Sequence, residues 1–221
     1  MKKLKLLNTT DSKVYFTSDT HYGHKNICKG VTSWEDANDS TRDFDTLEEM
    51  NEWLIHGINL LVKRQDILIH LGDWSFGGFE NIRKFRERIW CENIHLVLGN
   101  HDHHIENNRE GIQDIFTSVS DMLEIEINYV TGGQVTATYM VQACHYPMMS
   151  WKDMNKGAMH LHGHVHLPGH NKHAGEGRIM DVGVDANGML PVAFRAIAMM
   201  LKDREPVSSL PFPDHHSKNI R

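Results

Sequence analysis

Ile67-Leu68-Ile69-His70-Leu71-Gly72-Asp73 is the stretch on which the fold turns. Its apolar run is too short for a buried helix and suits a strand covered on both faces. The run stops at a glycine, which permits a sharp turn and close approach of chains, and an aspartate follows at once. The same grammar recurs on either side. Upstream, a predicted strand over residues 13–18 holds Val14, Tyr15 and Phe16 and stops at Asp19-Thr20-His21; downstream, Ile94-His95-Leu96-Val97-Leu98 stops at Gly99-Asn100-His101-Asp102. Between the first two strands, Leu47, Met50, Leu54, Ile58 and Leu61 recur at the spacing of an amphipathic helix. A second helix fits residues 79–90. Strand alternating with helix predicts a parallel sheet with helical crossovers. Ligands of such sheets gather outside the carboxyl ends of the strands, so Asp19, Asp73 and Asn100 should face one crevice.

The second half has a different pattern. Residues 115–119, 122–127, 134–144, 158–161, 177–182 and 192–196 read as strands, and Gly132-Gly133 marks a hairpin turn. Residues 197–201 fit helix or strand. A second, mixed or antiparallel sheet packed on the first is expected. Two further polar clusters end apolar runs here: His145, and Gly163-His164-Val165-His166. With no internal repeat and no linker, the chain reads as one domain over residues 1–204. A proline-bearing tail, 205–221, should be loosely ordered.

The chain has 221 residues, ample for a buried core, with 40% hydrophobic and 24% charged residues. Histidine is the anomaly: 17 of them, with no run longer than two to mark a tag. Histidine is the commonest metal ligand and a frequent general acid, so the excess points toward a metalloenzyme. The formal net charge of −6 disfavours wrapping a long duplex. Bound dications would offset it locally, and nucleic acid is not excluded. Cys28, Cys91 and Cys144 are an odd, unpaired set and read as reduced thiols. No signal-peptide core and no membrane span occurs, so a cytoplasmic protein is expected, in the host cytoplasm if phage-encoded.

Asp, His and Asn together hold pairs of divalent metals through mixed oxygen and nitrogen ligation, and such pairs activate water toward phosphorus. Asp19 and His21 stand two apart, a separation that puts both side chains on one side of extended backbone. His164 and His166 repeat it. In order, Asp-x-His, Gly-Asp, Gly-Asn-His-Asp, His and Gly-His-x-His resemble the calcineurin-like metallophosphoesterase superfamily across residues 13–195. The wording Phe16-Thr17-Ser18-Asp19-Thr20-His21-Tyr22-Gly23-His24, with Glu49-Met50-Asn51 and His145-Tyr146-Pro147, is similar to a short bacterial and phage subgroup of phosphoesterases. The resemblance implies an α/β fold, a four-layer α/β/β/α sandwich of two mixed sheets flanked by helices. It implies one metal on Asp19, His21 and His166, a second on Asn100, His145 and His164, and Asp73 bridging them. A hydroxide shared by ions about 3.5–4 Å apart would be the nucleophile. The resemblance makes His101 the general acid and Asp102 the group that orients its ring.

His24 and Arg42 lie where either could reach a substrate phosphate. His103 and His104 read as solvated loop. Trp74, Phe76, Tyr146 and Trp151 flank ligands and either stack on a nucleobase or lie buried beneath the site. Manganese is the expected metal, with iron, zinc and nickel also suited to these donors. In the protein-phosphatase branch of the family an arginine follows the bridging aspartate and grips a phosphate dianion; here Asp73 is followed by Trp74-Ser75-Phe76-Gly77-Gly78. Loss of that fork tilts the expectation toward singly charged diesters. The expected activity is hydrolysis of a small nucleotide or cyclic nucleotide diester. Alternatives are a nuclease or nucleic-acid end-processing phosphatase, a protein or small-molecule phosphomonoesterase, and a non-catalytic scaffold. The last is disfavoured because every ligand position is filled.

Overall fold

The computed structural model describes residues 1–35, 41–108 and 111–207. It opens with a strand that the lysine-rich start conceals, β1 (Lys2–Asn8). Lys3 and Lys5 lie beside Glu124 and Glu126, at 4.0 and 2.9 Å, while Leu4 and Leu6 pack into the core. Next come β2 (Val14–Thr17), α1 (Leu47–Leu61), β3 (Ile67–His70), α2 (Gly78–Arg88), β4 (Asn93–Val97), the single turn α3 (His103–Glu106) and β5 (Ser118–Ser120). The remainder is β6 (Met122–Thr131), β7 (Gln134–Cys144), β8 (Met159–His162), β9 (Ile179–Asp181), β10 (Val192–Ala193) and α4 (Phe194–Leu201).

The fold is α/β, with two mixed five-stranded sheets and flanking helices. One sheet has the order β10-β2-β3-β4-β5, its four central and far strands parallel and β10 antiparallel at the edge. The other has the order β1-β6-β7-β8-β9, antiparallel only between β6 and β7. The β6–β7 hairpin turns through Gly132 and Gly133 at φ 59° and 78°. Two successive positive values are what a two-residue turn between twisted strands demands.

Helix α1 starts at Thr46, whose hydroxyl accepts the Glu49 N–H while the Glu49 carboxylate accepts the Thr46 N–H. This reciprocal cap satisfies two otherwise orphaned donors. Met50, Leu54 and Ile58 then recur on its buried face. Leu54 and Ile58, with Ile82 and Phe85 of α2, cover Leu68, Ile94 and Leu96 on one face of the first sheet. Its other face, with Phe16, Ile69 and Leu71, meets Leu123, Ile125, Val141 and Leu161 of the second sheet. Leu68 and Ile69 thus bury in opposite cores, as the unbroken apolar run of β3 requires. The outermost layer on the second sheet is thin: Trp151 packs there with Met140, Met148 and Met154, and Met154–Lys156 forms a 3-10 turn.

Two predicted strands change character. In residues 115–119, Gln113–Ile115 closes a 3-10 turn before β5 begins. In 192–196, β10 lasts two residues and α4 takes over, because Phe194, Ile197, Ala198 and Leu201 recur at helical spacing and all bury. Of the predicted tail, residues 208–221 lie outside the described residues. Among the described residues, no helix is long and apolar enough to cross a membrane. All three cysteines are free.

Candidate metal centre

The carboxyl ends of β2, β3, β4, β7 and β8 meet at one rim, and backbone hydrogen bonds lock their exit loops together. The Asp19 N–H donates to the Gly72 carbonyl at 2.9 Å and the His21 N–H to the Asp73 carbonyl at 3.0 Å. Seven described residues other than glycine have positive φ, and five of them are predicted ligands: Asp19, His21, Asp73, His164 and His166. Each such left-handed residue costs on the order of 1 kcal/mol and persists only where its surroundings dictate it. Two glycines permit the closest approaches. A Cβ on Gly99 would strike the Asp73 carboxylate, and one on Gly163 would strike Ser18 and the Asp19 carboxylate.

Two groups of donors face each other across Asp73. Its Oδ2 lies 3.5 Å from His21 Nε2 and 3.6 Å from His145 Nε2. On one side, His21 Nε2 and His166 Nε2 stand 3.2 Å apart, with Asp19 Oδ1 3.9 Å from the latter. On the other, Asn100 Oδ1 lies 3.0 Å from His145 Nε2 and 2.9 Å from His164 Nδ1. Donors bound at about 2.1 Å to one ion and at right angles stand about 3 Å apart, so these separations fit a shared cation. Two sets, Asp19 with His21 and His166, and Asp19 with Asp73 and His145, keep their donor atoms within 4.8 Å of one another.

The imidazoles are held in useful tautomers. His145 Nδ1 lies 2.7 Å from the Leu71 carbonyl, and His166 Nδ1 lies 2.6 Å from Asp185 Oδ2. A proton on each of those nitrogens leaves Nε2 with its lone pair toward the centre. Burial pushes the Asp19 carboxyl up to about 7; His166 opposes the rise, and Asp73 and Asp181 add to it. Burial holds His21 well below the usual imidazole range, helped by the Arg42 charge. Burial also lowers His145, against the pull of Asp73. His166 moves the other way: burial draws it down, but the Asp185 hydrogen bond and the charges of Asp19 and Asp185 outweigh that. The Asp19 carboxyl, costly to ionise, beside the His21 and His145 imidazoles that burial keeps neutral, makes a donor set that divalent cations would compensate.

A cavity of about 1170 Å³ opens beside His21, His101 and His166, with Ile27, Trp34 and Phe76 in its walls. His101 is exposed there and donates its backbone N–H to Asp73 Oδ1 at 2.9 Å. His24 stacks on Phe76, ring centroids 3.8 Å apart and nearly parallel, and burial lowers its imidazole to about 4. Tyr146 is exposed beside His164. Trp74 and Trp151 are buried beneath the surface, so neither offers a face to a base. His103 is exposed and His104 packs on Phe79.

Two expectations need correction. Asp102 does not meet the His101 ring; its carboxylate accepts the backbone N–H groups of Asp73, Trp74 and Gly99 at 2.7, 3.0 and 2.8 Å. Those buried amides need an acceptor more than the exposed imidazole does. Arg42 is buried, and its guanidinium is committed to Asp185 and to the carbonyls of Asp19 and Thr20, so it braces the loops instead of reaching for substrate. Asp181 and Asp185 were not singled out from sequence, although they stand at and just past the end of the predicted strand 177–182. The strand-end rule that found Asp19 and Asp73 applies equally to them.

A family model described as calcineurin-like phosphoesterase matches residues 12–190. An uncharacterized protein of Methanocaldococcus jannaschii is 37% identical over 92 residues, 41% of this chain and 47% of that protein, so the chain spans about half the length of that relative. The Gene 66 protein of Mycobacterium phage L5 is 28% identical over 205 residues, 81% of this chain and 89% of its own length. A crystal structure of a protein of unknown function from Aquifex aeolicus has the same fold, with TM-score 0.59 and 22% identity, covering 87% of this chain and all of the other.

Proposed function

The chain belongs to the calcineurin-like phosphoesterase family, and on that premise we propose that it is a two-metal phosphodiesterase acting on small nucleotides or cyclic nucleotides. The observation that carries the reading is the position of Asp73 Oδ2, 3.5 Å from one imidazole group and 3.6 Å from the other. Asp19, His21 and His166 would hold one divalent ion and Asn100, His145 and His164 the other, with Asp73 lending an oxygen to each. Manganese is the metal we favour. Such a pair, when bound, lowers the pKa of water and clamps phosphoryl oxygens.

The chain's own groups complete the chemistry. His101 stands at the cavity rim, free to hand a proton to the departing oxygen. Asp102 serves it indirectly, by fixing the turn from which His101 projects. The diester preference is supported by the cavity walls. Arg42 is the only arginine or lysine among the described lining residues, and its guanidinium is already paired. A phosphate dianion would therefore find no free fork to bind it. The stacked His24 and Phe76, with Trp34 edge-on to His24 at 5.9 Å, offer a flat apolar face that suits a nucleobase. Three free cysteines accord with action in a reducing cytoplasm.

Manganese-loaded protein assayed against a bis-aryl phosphodiester and the matching aryl monoester tests the reading. The diester should be favoured at least about tenfold in kcat/KM, which is about 1.4 kcal/mol of transition-state discrimination. Preference for the monoester would overturn the diesterase assignment.

A further inference from the structure

Arg42 joins three parts of the molecule. Its Nε and Nη2 donate to Asp185 Oδ1 and Oδ2 at 2.8 and 3.0 Å. Its Nη1 donates to the Thr20 carbonyl at 2.8 Å and Nη2 also to the Asp19 carbonyl at 2.6 Å. Asp185 in turn accepts from His166 Nδ1 at 2.6 Å. The Arg42 backbone closes the third connection: its N–H donates to the Ile27 carbonyl at 2.7 Å, and its carbonyl accepts from Lys29 N–H at 3.0 Å. One residue thus touches the backbone of one proposed ligand, the carboxylate behind a second, and the strip that carries the cavity wall.

We propose that Arg42 and Asp185 are a positioning pair that sets cation affinity selectively at the Asp19, His21 and His166 side of the centre. The proposal rests on the two-metal reading given above. Asp185 has two tasks there. It fixes the His166 proton on Nδ1, which aims Nε2 inward, and it neutralises a guanidinium that would otherwise repel a dication. Arg42 keeps the Asp19 and Thr20 carbonyls satisfied where burial excludes water, so Asp19 holds its left-handed backbone. Among the described residues, no hydrogen bond links either member of the pair to Asn100, His145 or His164. The two sides meet at the Asp19 carboxylate, which accepts the His164 backbone N–H at 3.1 and 3.0 Å, but that bond does not fix the His164 ring nitrogen, so the influence of the pair should fall on the first side.

Titration of Mn²⁺ into the metal-free full chain, followed by calorimetry, separates the two ions. The wild-type protein should take up two. In Asp185→Asn one site should weaken by about 10–100-fold, the usual effect of removing a carboxylate behind a ligating histidine, while the other stays within about twofold of wild type. Arg42→Lys keeps the charge but loses the fork, and should weaken the same site. The double variant should be no worse than the weaker single one, because the two residues act as one unit. Equal weakening of both sites, or two unchanged sites, would overturn the proposal while leaving the two-metal reading intact. Failure of the wild-type protein to bind Mn²⁺ would remove that reading and the proposal together. If Asp185→Asn does not fold, Arg42→Lys carries the same decision.

Discussion

The Asp19, His21 and His166 side of the centre is braced by charge, whereas the Asn100, His145 and His164 side is braced by backbone and ends in an exposed residue. Asp19 and His21 are buried, and behind them stand Asp181, Asp185 and Arg42. His166 and His164 are both part-exposed and His145 is fully buried with the Leu71 carbonyl behind it, so the two sides differ in exposure chiefly at Asn100, which is exposed. Counting the shared Asp73, the first side offers a cation two carboxylates and the second only one. Coulomb attraction favours the first, so it should fill first and release its ion last. The lesson is that one nearly symmetrical list of candidate donors can build two groups of unequal charge.

The largest effect should come from removing what the two sides share. Asp73→Asn leaves an amide where both groups need a carboxylate oxygen, so turnover should fall to background and both Mn²⁺ affinities should drop. Loss at one side alone would show that Asp73 does not bridge. His101→Gln should be next, lowering kcat by about 10²–10⁴ with both ions retained. Its ring accepts no hydrogen bond from the ligand set among the described residues, and its backbone bond to Asp73 survives the change. Full activity in that variant would assign the leaving-group proton elsewhere.

Two glycines sharpen the contrast further, because each abuts a different carboxylate. Gly163→Ala places a methyl against Ser18 and Asp19, and Gly99→Ala places one against Asp73. Gly163→Ala should therefore weaken one Mn²⁺ of two, and Gly99→Ala both. Each change is smaller than loss of the carboxylate itself, but the methyl overlaps buried oxygens, and on Gly99 the Asp73 backbone nitrogen as well, so the loops must shift at a cost of about 1–3 kcal/mol. Identical binding profiles for the two variants would mean that the sides are coupled through the loops and are not separable.

The strand ends made the clustered polar side chains legible in the sequence, because an apolar run halted by glycine and a polar cluster is what a buried strand opening onto a binding crevice requires. Side-chain direction was much less so. Asp102 follows His101 directly, yet adjacency in sequence put its carboxylate under the preceding turn, where three amides were waiting. Arg42 lines the cavity, yet its guanidinium is taken up by buried carbonyls and Asp185, partners that its place in a polar loop does not reveal. β1 is hard to read from sequence because its alternate lysines look solvated until Glu124 and Glu126 supply partners across the sheet. The switch from β10 to α4 was hidden by a run that is apolar at both periods.

The segment from His160 to His166 carries histidine at every second position, and sequence alone does not say why the first pair should differ from the second. The strand decides it. His160 and His162 belong to β8 and are buried, whereas His164 and His166 leave the strand with φ of 70° and 47° and turn to the centre. His160 is fully engaged away from the site: Nδ1 lies 2.9 Å from the Gln142 carbonyl and Nε2 accepts the Met148 N–H at 2.9 Å. Both bonds require a neutral ring, and burial lowers its pKa to about 4. As pH falls below 6.5 the unfolded chain takes up this proton before the folded one does. The stabilising share of His160 is therefore complete above pH 6.5 and declines toward pH 4. In His160→Gln that titration is gone, so the stability gap between wild type and variant should be about 2 kcal/mol narrower at pH 5 than at pH 7. Urea unfolding of the metal-free proteins at the two pH values measures it. A gap independent of pH would mean that His160 is protonated in the fold, and the division of this histidine row into a structural and a site-facing pair would lose its physical basis.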